Sequence, residues 1–173
     1  MSTLKREPDS NSNCPWLDPG PHGNKLKLED YPSALLMRVA NRIQTDVTSV
    51  YARQHELSVP EWRLLARLHE SAPMQLTALC RTSYFDKAYA GRILRDLEAR
   101  GLTCTQADAA HRRRLIVDIT PEGRALARKV VAVARRSQAH LLDVLTPTER
   151  TALYETLHKL LDATSALAPE ETS

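Results

Sequence analysis

The chain has 173 residues, of which 42% are hydrophobic, and a formal charge of only +3 from 24 Lys and Arg against 21 Asp and Glu. That length suits one domain with an appended arm, and that apolar content excludes disorder throughout. So small a net charge does not by itself select a nucleic-acid partner, so the placement of the charges has to be read along the chain.

Residues 1–30 are rich in Ser, Asn and Pro, with Pro8, Pro15, Pro19 and Pro21, and carry no helical or strand period. A loose arm is expected there. Trp16 and Leu17 are the exception, because an exposed Trp-Leu pair is costly in water, and they are expected to dock on the body or on a partner subunit. From Asp30 the pattern changes. Leu36, Val39, Ala40, Ile43, Val47 and Val50 recur at three and four residues, which predicts one long amphipathic helix, capped by Asp30 or Ser33 with Pro32 in its first turn.

Ser58-Val59-Pro60-Glu61 has the capping-box form, in which the Ser hydroxyl takes the N3 amide and Glu61 reaches back. A short helix carrying Trp62, Leu65 and Leu68 follows. Pro73 closes the next break, and Leu76, Leu79 and Cys80 suit a further short helix. From Asp86 to Arg100, Ala90, Ile93, Leu94 and Leu97 fall on one side and Lys87, Ala88, Gly91, Arg92 and Arg95 on the other. Two short helices in succession, the second with an apolar inner face and a basic outer one, predict a helix-turn-helix. Gly101 suits the left-handed position after the second of them.

Leu102–Gln106 and Leu115–Ile119 read as two strands joined by a loop, 107–114, that ends in His111-Arg112-Arg113-Arg114. Thr120-Pro121-Glu122 opens a capped helix with Ala125, Leu126, Val130, Val133 and Ala134 on one face. Thr146-Pro147-Thr148-Glu149 repeats the capping box before Leu153, Leu157, Leu160, Leu161 and Leu167. The first helix and the last two are too apolar on one side to stand alone in water, and a second copy of the chain is the expected cover.

The charge is concentrated where the reading helix and hairpin fall. Between Arg81 and Arg114 there are eight cations and four anions, so this segment holds +4 and the rest of the chain −1. Charged residues at helical spacing are most often an ordinary solvated face. Here Lys87 lies early in the helix and the anions late, Gly91 stands mid-helix despite a cost of about 1 kcal/mol, and a basic hairpin follows at once. Those three features favour DNA. Lys87, Ala88, Tyr89 and Arg92 occupy the part of the helix that meets base edges, with Arg92 expected on a guanine, Ala88 or Tyr89 on a thymine methyl, and Arg95 on phosphate. Three adjacent guanidiniums at Arg112, Arg113 and Arg114 repel one another unless phosphate or a narrow minor groove supplies counter-charge, with His111 beside them in the same loop. The fold class expected is mainly α with a small β wing, a winged helix-turn-helix with N- and C-terminal dimerisation helices.

The chain resembles the MarR family of bacterial transcriptional regulators at Pro60-Glu61-Trp62-Arg63-Leu64-Leu65, at Leu94-Arg95-Asp96-Leu97-Glu98-Ala99-Arg100-Gly101-Leu102, at Arg112-Arg113-Arg114 and at Ile119-Thr120-Pro121-Glu122-Gly123-Arg124. The resemblance implies a homodimer with two winged lobes that binds a pseudo-palindromic double-stranded operator, as a repressor released by a small molecule or by oxidation. Relatives commonly carry Asp just before the wing arginines. His111 stands there, which leaves Asp108 as the candidate brace. Aromatic acids or their coenzyme A thioesters are the effectors such a resemblance suggests, with Arg38, Arg42, Tyr51, Trp62 and His69 as candidate ligands, although the spacing of Trp62 with Leu65 and Leu68 equally suits a core residue. The alternative is an oxidant sensor acting through Cys104 or Cys80, against the ordinary role of a buried Cys as a small hydrophobe.

No other chemistry is legible. The six His residues include no pair at i, i+4, and there is no H-E-x-x-H, Gly-rich phosphate loop or G-x-S-x-G elbow, so neither an enzyme nor a metal or cofactor is expected. Three scattered cysteines and the lack of a long apolar run predict a reduced, cytoplasmic protein with no membrane partner. The expected organisation is an arm at 1–30, a dimerisation helix at 31–57, the DNA-binding lobe at 58–122 and dimerisation helices at 123–173.

Overall fold

The computed structural model describes residues 14–111 and 113–166. Arg112, Leu167 and the first part of the predicted arm lie outside the described residues. Two compact units divide between Val47 and Thr48.

In the first unit the arm has more local structure than its composition predicts. Short 3-10 turns form at Pro21–Gly23 and Leu28–Asp30. Trp16 Nε1 donates to the Asp30 carbonyl at 2.5 Å, but its ring stays exposed, as does Leu17 at 82%, so neither is buried as the sequence predicts. Helix α1 spans Pro32–Ile43 with Pro32 in its first turn. Its N-cap is Tyr31, and no side chain caps it. Neither Asp30 nor Ser33 takes that role, and the Asp30 carboxylate instead accepts the Lys27 amide at 3.3 Å. The predicted single helix changes register rather than ending after α1: Gln44–Thr48 forms a π-helical turn, its end residues Gln44 and Thr48 both helical in φ and ψ, before α2 at Ser49–Arg53. Ile43, Val47 and Val50 keep four- and three-residue spacing across this segment, so the apolar pattern gives no sign of the change in hydrogen-bond register.

The second unit is built on α3, Val59–Ser71. Its start is the capping box the sequence predicts, with the Ser58 amide donating to Glu61 Oε2 at 2.7 Å and the Glu61 amide donating to Ser58 Oγ at 3.3 Å. Strand β1, Met74–Gln75, was not expected, since two residues cannot display alternation. Helices α4, Leu76–Ser83, and α5, Lys87–Ala99, follow, then strands β2, Thr103–Ala107, and β3, Leu115–Ile119. The sheet is antiparallel in the order β1-β3-β2, with Met74 opposite Val117 and Thr103 opposite Ile119.

Leu64, Leu65 and Leu68 of α3, Leu79 of α4, Leu97 of α5 and Val117 of β3 are fully buried and form the centre of the lobe. Burying each stabilises the fold by about 1.5–3 kcal/mol before entropy is counted. Helix α6, Pro121–Leu141, is capped by Thr120, whose Oγ1 accepts the Gly123 amide at 3.0 Å; it packs on α3, and its Ala127 and Val130 are buried. After a 3-10 turn at Leu142–Val144, α7 runs over Pro147–Ala166, its Thr146–Glu149 capping box formed as predicted. Leu153, Tyr154, Leu160 and Leu161 of α7 remain exposed, as do Leu36, Met37 and Val39 of α1.

Candidate nucleic-acid interface

The helix-turn-helix is set by the three residues between α4 and α5. Tyr84 ends α4 in the left-handed region at φ 57°, and the Phe85 amide donates back to the Cys80 carbonyl at 3.0 Å. Asp86 then caps α5, its Oδ1 accepting the Tyr89 amide at 2.8 Å. Such a cap is worth about 1 kcal/mol and fixes where the helix begins.

The two faces of α5 separate as the sequence predicts. Ala90, Ile93, Leu94 and Leu97 are buried, while Lys87, Ala88, Gly91, Arg92 and Arg95 together line one open concave surface. Tyr89 is half-buried at the edge of that surface, and the Arg92 guanidinium lies over its ring at 5.6 Å from the centroid. A Cβ placed on Gly91 meets nothing within 4 Å, so packing inside the chain does not demand a glycine there.

The end of α5 is stitched to the hairpin and to α6. Gly101 takes φ 68°, its carbonyl accepts the Thr120 hydroxyl at 2.7 Å, and the Thr120 amide donates to the Leu102 carbonyl at 3.1 Å. Gly123 sits so close that a Cβ there would lie 2.0 Å from the Leu102 oxygen. The root of the hairpin is therefore locked to the C-terminal end of α5.

At the hairpin tip Asp108 does act as a brace, though through the main chain. Its Oδ1 accepts the Ala110 amide at 2.8 Å, its amide donates to the Arg114 carbonyl at 2.9 Å, and the Arg114 amide donates to the His111 carbonyl at 2.7 Å. His111 thus closes the turn with its carbonyl and leaves its ring exposed, beside exposed Arg113 and Arg114. Among the described residues, no carboxylate lies within ion-pairing distance of Lys87, Arg92, Arg95, Arg113 or Arg114. The cations at Arg42, Arg67, Arg100 and Arg150 do have such partners.

The candidate effector residues fall into two sets. Arg38 and Arg42 lie on one face of α1 with Ala34, Met37 and Asn41, and Arg42 pairs with Asp46 at 2.6 Å. In the second unit Tyr51 and Trp62 are buried and meet edge to face at 6.0 Å, so both rings are core residues. His69 lies two turns along the same stripe of α3 as Trp62, and its Nδ1 is buried with no hydrogen-bond partner among the described residues. The cysteines separate likewise. Cys80 is buried, and burial, countered only in part by Lys87, raises its thiol above the usual range, which works against a thiolate. Cys104 is exposed on β2.

Sequence reasoning passed over Phe85, which meets Tyr89 edge to face at 5.2 Å, and Arg100, which pairs with Glu61 at 3.0 Å. The first has no periodic signal. The second could have been sought as a partner for the capping glutamate.

A short sheet hairpin beside a capped helix, both presenting unpaired cations to solvent, defines a winged helix-turn-helix protein of the transcription-regulator class. A model of the MarR family matches residues 57–113, from the start of α3 to the hairpin tip. The chain is 32% identical to a MarR family transcriptional regulator of known structure from Silicibacter pomeroyi, over 80% of this chain and 98% of that one, with a TM-score of 0.70. It belongs to the MarR family. It is also 26% identical to BpsR of Bordetella bronchiseptica, whose structure concerns regulation of DNA binding by 6-hydroxynicotinic acid, over 83% of this chain and 99% of that one, with a TM-score of 0.70. The HTH-type transcriptional repressor NicR of Pseudomonas putida is 27% identical over 74% of this chain and 81% of its own. The family is one of regulators, not of enzymes. Among the described residues, no helix is long and apolar enough to cross a membrane, and no group of three metal-binding side chains is present.

Proposed function

We propose that the chain is a homodimeric repressor that binds a pseudo-palindromic operator through α5 and the hairpin and is released by a small aromatic carboxylic acid. The observation that carries the reading is the set of exposed cations on α5 and at the hairpin tip, which have no carboxylate partner among the described residues. Lys87, Ala88, Tyr89 and Arg92 serve as the base-edge set, with Arg92 donating to a guanine, and Arg95, His111, Arg113 and Arg114 face phosphate. Arg112, outside the described residues, is assigned to the same set from its place in the sequence between His111 and Arg113.

Dimerisation is supported by the exposed apolar residues of α1 and, separately, of α7, which a second copy would cover. Two lobes related by a two-fold axis then engage half-sites about 34 Å apart. The repressor and effector assignments draw on NicR, a transcriptional repressor, and on BpsR, whose DNA binding is regulated by 6-hydroxynicotinic acid. In this chain His69, with its orphaned Nδ1 two turns along α3 from Trp62, supports a polar ligand at that point of the helix. Arg38 and Arg42, on one face of α1 in the first unit, offer guanidiniums to a carboxylate there, Arg42 in competition with Asp46. An acid acts only through its different affinity for DNA-competent and incompetent arrangements.

Selection of binding sites from a random duplex pool, followed by anisotropy titration, tests this. The expected result is a dyad-symmetric consensus, and an Arg92→Ala variant that loses about 1–3 kcal/mol on it and little on random duplex. Equal weakening on both duplexes would refute the base-reading role. A panel of hydroxylated benzoic and nicotinic acids is expected to yield one compound that dissociates the complex, and none doing so would remove the effector.

A further inference from the structure

We propose that Arg63, on α3 and away from the outer face of α5, is a positioning residue that sets base-pair selectivity by holding Arg92 through a ladder of rings. This rests on the DNA-reading assignment above and deepens it. Arg63 Nη2 donates to the Ser83 carbonyl at 2.8 Å, at the last turn of α4. From there its guanidinium lies over the Phe85 ring, 4.8 Å from the centroid. Phe85 meets Tyr89 edge to face at 5.2 Å with the ring planes at 88°, and the Arg92 guanidinium lies over Tyr89 at 5.6 Å. Cation, ring, ring and cation thus follow one another from α3 through the helix-turn-helix turn to the outer face of α5.

Two features give this ladder a role beyond filling space. Arg63 is half-buried, and among the described residues no carboxylate pairs with it, so a carbonyl and a ring face are its electrostatic partners. A guanidinium is well suited to that duty because it stacks on a ring while donating in its own plane. At the other end, Arg92 has Tyr89 as its ring contact and no ion pair among the described residues. A long side chain otherwise samples many rotamers and loses that freedom on binding, so a ring that restricts it beforehand raises both affinity and selectivity at the base it meets. Because an edge-to-face pair depends on ring orientation, turning Phe85 alters the face that Tyr89 offers to Arg92. Arg63 fixes Phe85. A role confined to holding α4 in place would need only the Ser83 hydrogen bond.

The test uses the full chain and the duplex that the wild-type protein enriches from a random pool. Single base-pair variants of that duplex are titrated by anisotropy with wild type, Arg92→Ala, Arg63→Ala, Arg63→Lys and Phe85→Leu, and thermal unfolding is recorded for each protein. Arg63→Ala and Phe85→Leu are expected to relax discrimination about 3- to 10-fold at the same base pair where Arg92→Ala relaxes it, with affinity for random duplex and its salt dependence unchanged. Arg63→Lys, which keeps a cation over Phe85, retains more of the discrimination than Arg63→Ala. In an Arg92→Ala background, Arg63→Ala adds nothing further. Phe85→Leu carries the test if Arg63→Ala does not fold. Discrimination left intact by both Arg63→Ala and Phe85→Leu while Arg92→Ala loses it overturns the ladder and leaves DNA reading standing. A uniform loss across all duplexes that tracks melting temperature assigns Arg63 to structure alone and overturns it too. If wild type enriches no duplex, the reading beneath the proposal falls with it.

Discussion

Glu61 and Arg100, 39 residues apart in the chain, meet at 3.0 Å and tie the first turn of α3 to the C-cap of α5. Glu61 is already the N3 residue of the Ser58 capping box, so one carboxylate both starts α3 and anchors the far end of the reading helix. Burial alone would raise its pKa, but hydrogen bonds from Ser58 and the nearby Arg100 guanidinium together hold it below its ordinary value.

A carboxyl with a depressed pKa in the folded state stabilises the fold above its unfolded pKa and loses that contribution as pH falls through the folded value. Glu61→Gln keeps the shape of the capping box and removes the charge. It is expected to lower stability at pH 7 by roughly 0.5–1 kcal/mol, a discounted figure because Arg100 is partly in solvent, and to match wild type in acid. Urea unfolding from neutral to acidic pH measures this. A deficit that persists undiminished below the folded pKa would assign the effect to shape instead.

Gly123 shows a different dependence on one neighbour. Its α-carbon faces the Leu102 carbonyl so closely that any side chain must push the α6 start away from the hairpin root. Because the obstructing atom is backbone, Gly123→Ala is expected to destabilise by about 2–3 kcal/mol, at the upper end for overpacking. A thermal melt reports it. A variant as stable as wild type would mean that α6 and the hairpin can part without cost.

What could be read from the chain is what neighbouring residues decide. Ser58 with Glu61, Thr120 with Gly123, and Thr146 with Glu149 each settle a helix start within four residues, and all three formed as their chemistry requires. The inner face of α5 was legible because burial repeats with the helical period. Strand β1 was not, since Met74 and Gln75 take their state from Val117 and Ile116 across the sheet. Nor was the stack of Arg63 on Phe85, because a ring contact between separate elements leaves no period. The π turn at Gln44–Thr48 escaped because Ile43, Val47 and Val50 keep ordinary helical spacing across it in the sequence.

The hairpin supplies a test in salt. Arg113 and Arg114 are exposed and the turn beneath them is fixed by Asp108, so replacing both with Ala should leave the fold unaltered. Each phosphate contact removed lowers the slope of log affinity against log salt concentration by about 0.9. Anisotropy titrations at several salt concentrations on the selected duplex and on random duplex should therefore show the same reduced slope on both. An unaltered slope would place the hairpin away from the backbone.

Gly91 separates stability from binding. Mid-helix glycine costs about 1 kcal/mol relative to alanine, and the space around its α-carbon within the chain is empty. Gly91→Ala is therefore expected to stabilise the protein by up to about 1 kcal/mol in urea unfolding. The added methyl projects into the surface that Lys87, Ala88, Arg92 and Arg95 share, so on a duplex docked against that face it holds the helix away from the base edges. Affinity for the selected duplex should fall while stability rises, two effects of opposite sign from one methyl group. A Gly91→Ala protein that is more stable and binds the duplex as tightly as wild type would show that α5 does not approach DNA along this face.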